Sequence, residues 1–473
     1  MLWTAIQKYS TMLISFISGI ILARLLMPED YGAIGMLLIF MSLAEVFIDA
    51  GFGSALIQKK NPTQADYSTV FYFNIVMSVI LYAVLYFCAP VIADFYRMPI
   101  LCKVLRVQGL ILFIYAFNII QRNQIRKNLK FKKLSKITIT TSVISLIVTV
   151  ILAYFGFGVW SLVAQNFVVA LVPCIFFWLT MNWRPTWEYS WASFRELFGF
   201  GFYMFLTHLF TTFSQRITGL LVGRWYNAST MGYYTKASSL SKYATLSVSG
   251  VMIQTTYPLY AAVQDDKERL INMVKRITST LAYITIPMLG LLILIAEPLI
   301  VLLYSDRWVA SVPYFQILCI GGMAGCLQAV NQQTIAAIGK SKVFFVWTVV
   351  KNSVGIVLQI VGLIVWGIWG LLVGKVLSSW FSYLVNISLV SKYVGYKNYQ
   401  QLKDLSPIFV VSVIAILAGY FGSSVFDFGL YPNGIVRALI FVAVYLGWSL
   451  LFKPEAYTYS LSILNGLKSK KHK

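Results

Sequence analysis

The feature that most constrains this chain is the recurrence of apolar runs about 20 residues long, from its first residues to Phe452, broken only by short polar stretches. A run of that length crosses a bilayer once as a helix, and a helix satisfies every backbone N–H and C=O without help from water. Of the 473 residues, 59% are hydrophobic and 11% charged, against roughly 25% charged in soluble domains. The sequence therefore predicts an all-α membrane protein with no room for a sizeable soluble domain. The first run, from near Met1 to Leu26, is longer than a signal-peptide core, so a retained helix is expected.

Runs set against breaks give fourteen candidate spans: Trp3 to Leu26, Ala33 to Ile57, Tyr67 to Ile92, Val104 to Ile120, Ile137 to Phe155, Val159 to Leu179, Phe198 to Val222, Met231 to Tyr257, Ile277 to Leu303, Val312 to Ala337, Val343 to Trp366, Ile368 to Val390, Ile408 to Val425 and Ile435 to Phe452. In a soluble protein the net charge of +22 would suggest a nucleic-acid partner. Here the basic residues punctuate spans, so they report topology and no nucleic acid is expected. One side collects Lys59 and Lys60, the stretch of Arg122, Arg126, Lys127, Lys130, Lys132, Lys133 and Lys136, then Lys340 and Lys342, Lys397, and Lys468, Lys470, Lys471 and Lys473. The other side holds few, among them Arg24, Arg97, Arg224 and Arg307. By the positive-inside rule both termini are expected in the cytoplasm, in a multi-pass protein of the bacterial inner membrane.

Three marker pairs recur in the same order. Arg24 with Gly32 matches Arg224 with Gly232; Pro90-Val91-Ile92 with Tyr96 matches Pro298-Leu299-Ile300 with Tyr304; and Gly158-Val159-Trp160 matches Gly367-Ile368-Trp369. Each pair joins a span to the span six places on. The sequence thus predicts two six-helix lobes of like orientation, residues 1–180 and 198–391, followed by two further helices within 408–452.

Several spans carry polar residues at helical spacing. Span 12 has Lys375, Ser378, Ser379, Ser382 and Asn386 on one face; span 8 has Thr235, Ser238, Lys242, Thr245, Ser249 and Thr256, with Lys236 beside them. Span 7 adds His208, Thr212, Gln215 and Gly219 with Arg216 adjacent, and span 11 adds Lys351, Asn352, Gly355 and Gln359. Small polar residues also serve plain helix packing. The cations argue further, because each costs roughly 2.5 to 3.5 kcal/mol near the bilayer centre. Arg216, Lys236, Lys242, Lys351 and Lys375 are therefore candidate lining residues of a water-filled cavity for an anionic substrate. Glu45 and Asp49, one turn apart on span 2, are either a coupling-ion site or a structural pair. Cys88, Cys102, Cys174, Cys319 and Cys326 are scattered, without the close pairs of a metal site or disulfide framework. No catalytic motif is present, so no enzyme activity is expected.

Specific residues carry a family resemblance. Ile21-Leu22-Ala23-Arg24-Leu25-Leu26-Met27-Pro28-Glu29-Asp30-Tyr31-Gly32 resembles the end of the first helix in the oligosaccharide flippase family, the Wzx-type polysaccharide exporters. Asp49-Ala50-Gly51-Phe52-Gly53-Ser54-Ala55-Leu56-Ile57-Gln58, Asp66 with Ser68-Thr69-Val70-Phe71, and the basic stretch from Arg126 to Lys133 resemble segments that follow in that family. The family belongs to a superfamily with multidrug and toxin exporters. The resemblance implies two six-helix bundles in a V, alternating access, and an undecaprenyl-pyrophosphate-linked oligosaccharide as substrate, for lipopolysaccharide, capsule or exopolysaccharide synthesis. Arg24 becomes a substrate-binding candidate by its place in the matched motif. Membrane lipids, a polysaccharide polymerase and a chain-length regulator are the implied partners, and a coupling ion, sodium or proton, the only implied cofactor. The rival readings are a drug or toxin exporter, disfavoured by the cationic inventory, and a membrane-embedded polymerase, disfavoured by short outer loops.

Overall fold

The computed structural model describes residues 2–263, 266–338, 340–424 and 429–459. Val425, Lys468, Lys470, Lys471 and Lys473, and the side chains of Lys342, Ser249 and Thr256, lie outside the described residues. The described residues are helical, with no strand among them. The elements are α1 (Leu2–Leu25), α2 (Pro28–Asp49), α3 (Phe52–Gln58), α4 (Gln64–Phe95), α5 (Ile100–Gly109), α6 (Ile111–Lys127), α7 (Phe131–Tyr154), α8 (Val159–Thr180), α9 (Trp191–Trp225), α10 (Ala228–Ala262), α11 (Lys267–Leu294), α12 (Ala296–Tyr304), a 3-10 turn (Asp306–Ser311), α13 (Val312–Ala337), α14 (Ser341–Tyr393), α15 (Asn398–Ser424) and α16 (Leu430–Phe452). Among the described residues twelve stretches are long and apolar enough to cross a membrane. One of them, within α14, runs 51 residues and breaks at Trp366 and Gly367, where φ/ψ leave the helical region. It accommodates both spans 11 and 12 of the sequence. The polar α10 is not among the twelve.

The chain divides into two compact units, Met1–Thr235 and Lys236–Lys473. In the first, α2 opens with Pro28, whose missing N–H costs nothing at a helix start, and Asp30 accepts from the Met27 N–H at 3.0 Å. The helix ends where Ala50 and Gly51 turn left-handed, φ 43° and 77°. Gly51 is required there twice over, by its φ and because a side chain would overlap the Gly201 carbonyl of α9. A reciprocal cap starts α4: Thr63 N–H donates to Asp66 at 2.7 Å and Asp66 N–H to the Thr63 hydroxyl at 3.2 Å. Lys59 bridges Asp66 at 3.0 Å and Glu196 at 2.9 Å, tying the start of α4 to the first turns of α9. The link from α8 to α9 lies along α4, with Ser190 N–H donating to Thr69 at 2.9 Å and Gln64 donating to the Arg184 carbonyl at 2.6 Å.

Two glycines of the repeat meet in this unit. A Cβ on Gly32 would overlap the backbone of Ala228, and one on Gly232 would overlap the backbone of Pro28. Glu29 accepts a hydrogen bond from Ser229 beside them. Positions 28, 29 and 32 thus face positions 228, 229 and 232, so the starts of α2 and α10 meet through corresponding residues.

In the second unit, Tyr260, Val274, Leu281, Val330 and Val390 form a core between α10, α11, α13 and α14. Tyr445 donates to the Tyr283 carbonyl at 2.9 Å and Tyr283 to Ser449 at 2.7 Å, fixing α16 on α11. The two arms of α14 pack closely, since a Cβ on Gly362 or on Gly370 would overlap the carbonyl of the other. The hinge Gly367 has φ 60° and ψ −137°, and its repeat partner Gly158 has φ 52° and ψ −127°. The third marker pair therefore shares a backbone conformation that glycine alone adopts easily.

Candidate functional site

In the first unit the site gathers at the end of α2. Glu45 and Asp49 are both half-buried, and Asp49 accepts from the Gly53 N–H at 3.2 Å across the left-handed turn. Asn123 of α6 reaches the same point: its Nδ2 stands 3.0 Å from where a Gly53 Cβ would lie, and Asp49 Oδ1 stands 2.6 Å from it. Arg216 of α9 and Arg122 of α6 act electrostatically on Glu45, and His208 and Arg122 on Asp49. Phe47 and Phe205, with ring centroids 5.1 Å apart, bring α9 to this level of α2. Among the described residues Glu45 and Asp49 close no ion pair. Of the sequence candidates, Glu45 and Asp49 share this end of α2 and Arg216 acts electrostatically on Glu45; Arg24 lies exposed at the end of α1.

The hydropathy pattern puts Arg122 and Arg126 in a loop after a span ending at Ile120, but α6 continues to Lys127. Its polar run is buried on one side, Gln121 and Asn123 included. Lys127 donates to the carbonyls of Leu56 at 3.0 Å and Ile57 at 3.2 Å and to that of Lys59, capping α3. The spacing of Arg122 and Arg126, one helical turn, is the sign in the sequence that they share a helix face.

In the second unit Lys236 is 5% exposed, with its ammonium 5.0 Å from the centre of the Tyr304 ring and 5.6 Å from that of Trp308. The repeat explains this place. Residue 36 is the counterpart of 236 and Tyr96 that of Tyr304, and Tyr96 donates to the Met36 carbonyl at 3.2 Å. Lys236 thus stands where the first half buries Met36, and an ammonium over aromatic faces replaces an apolar side chain.

Lys351 is 4% exposed and donates to Asn386 at 2.8 Å between the arms of α14. In the same hairpin Gly355 faces Ser378, and Gly374 faces Leu358 and Gln359. The polar stripes of spans 11 and 12 therefore meet one another. Lys375 is half-buried and Lys242 exposed. Among the described residues no three His, Cys, Asp or Glu side chains gather as a metal site.

Membrane-crossing helices with charged groups held among them make this a multi-pass helical membrane protein. The sequence pattern of the family described as "Polysaccharide biosynthesis protein" matches residues 21–313, and the chain belongs to that family. It is 25% identical over 347 residues to the teichuronic acid biosynthesis protein TuaB of Bacillus subtilis (strain 168), covering 73% of this chain and 72% of that one. The succinoglycan biosynthesis transport protein ExoT of Rhizobium meliloti (strain 1021) is 24% identical, with 74% and 71% covered. The lipopolysaccharide biosynthesis protein WzxC of Escherichia coli (strain K12) is 20% identical, with 88% and 86% covered. In fold the chain is similar to the lipid II flippase MurJ in an inward closed conformation, with a TM-score of 0.77 at 17% identity over 95% of this chain and 98% of that one. A multidrug resistance transporter of the MATE family, inward-facing, gives a TM-score of 0.62 at 15% identity, with 81% and 94% covered.

Proposed function

We propose that this protein is a flippase that moves undecaprenyl-pyrophosphate-linked oligosaccharide repeat units across the bacterial cytoplasmic membrane by alternating access, for lipopolysaccharide, capsule or exopolysaccharide synthesis. The lobes are residues 1–180 and 198–391, with the helices of 408–452 appended and both termini cytoplasmic. Arg24, Arg216, Lys236, Lys242, Lys351 and Lys375 are its substrate-binding set, and Glu45 and Asp49 its coupling site for sodium or a proton. The observation that carries this reading is Lys351, an ammonium buried inside a membrane hairpin with a neutral amide as its hydrogen-bond partner. Such a cation costs about 2.5 to 3.5 kcal/mol to insert, and an anionic cargo offsets that cost where a cationic drug would add to it. Relatives named for teichuronic acid, succinoglycan and lipopolysaccharide support a saccharide polymer as the destination.

The test is delivery of lipid-linked repeat units to the outer leaflet in cells at matched expression, beside a panel of cationic drugs. Loss of repeat-unit delivery in Lys351→Met, with drug susceptibility unchanged, is expected. Drug sensitisation with delivery intact would favour an exporter of drugs instead.

A further inference from the structure

We infer that Arg122 and Arg126, on the exposed face of α6 beside Glu45 and Asp49, form a binding site for a phosphate-bearing anion, with the two carboxylates as the anion's competitors for the guanidinium groups. The two arginines are one helical turn apart, which places their side chains on one face and about 5 to 6 Å apart at Cβ. Both are exposed although the helix that carries them belongs to a membrane-crossing stretch. Guanidinium forks match phosphate oxygens in pairs, and such charge-assisted bonds are roughly twice as strong as neutral ones.

The surroundings hold this face in place. Lys127 caps α3 and so pins the end of α6. Asn123, between the arginines, is 7% exposed; its Nδ2 lies beside Asp49 and Gly53 and has no acceptor among the described residues. That leaves a buried amide donor on the same turn of helix, beside Asp49, with no acceptor among the described residues. From α9, Arg216 acts electrostatically on Glu45 and His208 on Asp49, and both carboxylates act on Tyr115 of α6. Three guanidinium groups against two carboxylates leave an excess of one positive charge, and among the described residues no ion pair ties any of them down. Glu45 and Asp49 act on the same arginines from a distance and oppose an anion bound there, which is why their neutralisation should tighten it.

Binding of inorganic pyrophosphate tests this site separately from transport. The full chain in nanodiscs of phosphatidylcholine, at low salt, is titrated calorimetrically with pyrophosphate. Wild-type protein should bind, and R122Q/R126Q should bind at least about 10-fold more weakly. E45Q/D49N should bind more tightly than wild type, a change of opposite sign that unfolding does not produce. K397Q, on an exposed loop of the second unit, should match wild type. A second arm replaces half the phosphatidylcholine with phosphatidylglycerol. Weakening that persists at about 0.15 M salt, where repulsion of pyrophosphate by the anionic surface is largely screened, assigns the site to bilayer headgroups, and binding that recovers there assigns it to a phosphate carried by other molecules. Equal affinity of wild type and R122Q/R126Q, no pyrophosphate binding in either lipid, or weaker binding by E45Q/D49N, overturns the inference.

Discussion

Gly32 and Gly232 hold corresponding places on α2 and α10, and each lies against the backbone of the other's helix, at Ala228 and Pro28. Adding one methyl group at either glycine forces two backbones apart, and backbone yields less readily than a side chain. Gly32→Ala and Gly232→Ala should each destabilise the protein by about 1 to 3 kcal/mol. Thermal unfolding in detergent checks this; the double variant should lose less than the sum, because the first substitution already opens the crossing.

Lys236→Met should fold. Met36 fills the corresponding place in the first half. The variant gives up a cation–π attraction of about 2 kcal/mol in a desolvated setting together with the other contacts of the ammonium, and no longer burying a charge offsets this. A melting temperature equal to or above that of wild type is expected. A large fall would show that the charge holds the second unit together.

Lys59 links charge to pH outside the spans. Burial works against its ammonium, yet hydrogen bonds to Glu196 and Asp66 outweigh it and raise its pKa above the ordinary 10.5. A raised folded-state value means this contribution is complete below the unfolded pKa and is lost as pH rises through the folded one. The melting temperature of Lys59→Met should thus lie below wild type at neutral pH and converge with it above about pH 10.5. The partners should differ: the Asp66 side chain is 1% exposed and Glu196 62%, so Asp66→Asn should cost about 1.5 to 3 kcal/mol and Glu196→Gln about 0 to 1.

Much of this arrangement is legible in the sequence, because apolar runs of about 20 residues satisfy their backbone in lipid as helices and the repeat is written in glycine and proline. Gly158 and Gly367 are readable as equivalents since few other residues take their φ. The site is harder. Arg122 and Arg126 look like loop charge, as hydropathy falls across Gln121 to Lys127 while the helix continues on buried amides and the Lys127 cap. Spacing marks Lys236 and Lys351 as cations within the spans; only packing adds that one lies under aromatic rings and the other against Asn386. Stripes on neighbouring spans have the same spacing whether they face a cavity or each other.

Orientation is tested by labelling. In a background free of the five cysteines, single cysteines at Lys132 and Lys397 should resist an impermeant thiol reagent on cells stripped of any outer membrane, and one at Phe157, an exposed hairpin residue, should react. Reversed labelling would place both termini outside.

Whether membrane cations carry an anionic lipid-linked saccharide is measured most directly as transport by the variant with Lys242, Lys351 and Lys375 all replaced by alanine. Each charge-assisted hydrogen bond is worth roughly 1.5 to 3 kcal/mol, so removing even one should cut affinity about 10-fold or more. At matched expression, delivery of repeat units to the outer leaflet should fall to background in the triple variant, while Lys397→Ala stays at the wild-type level. Full delivery by the triple variant would contradict the account.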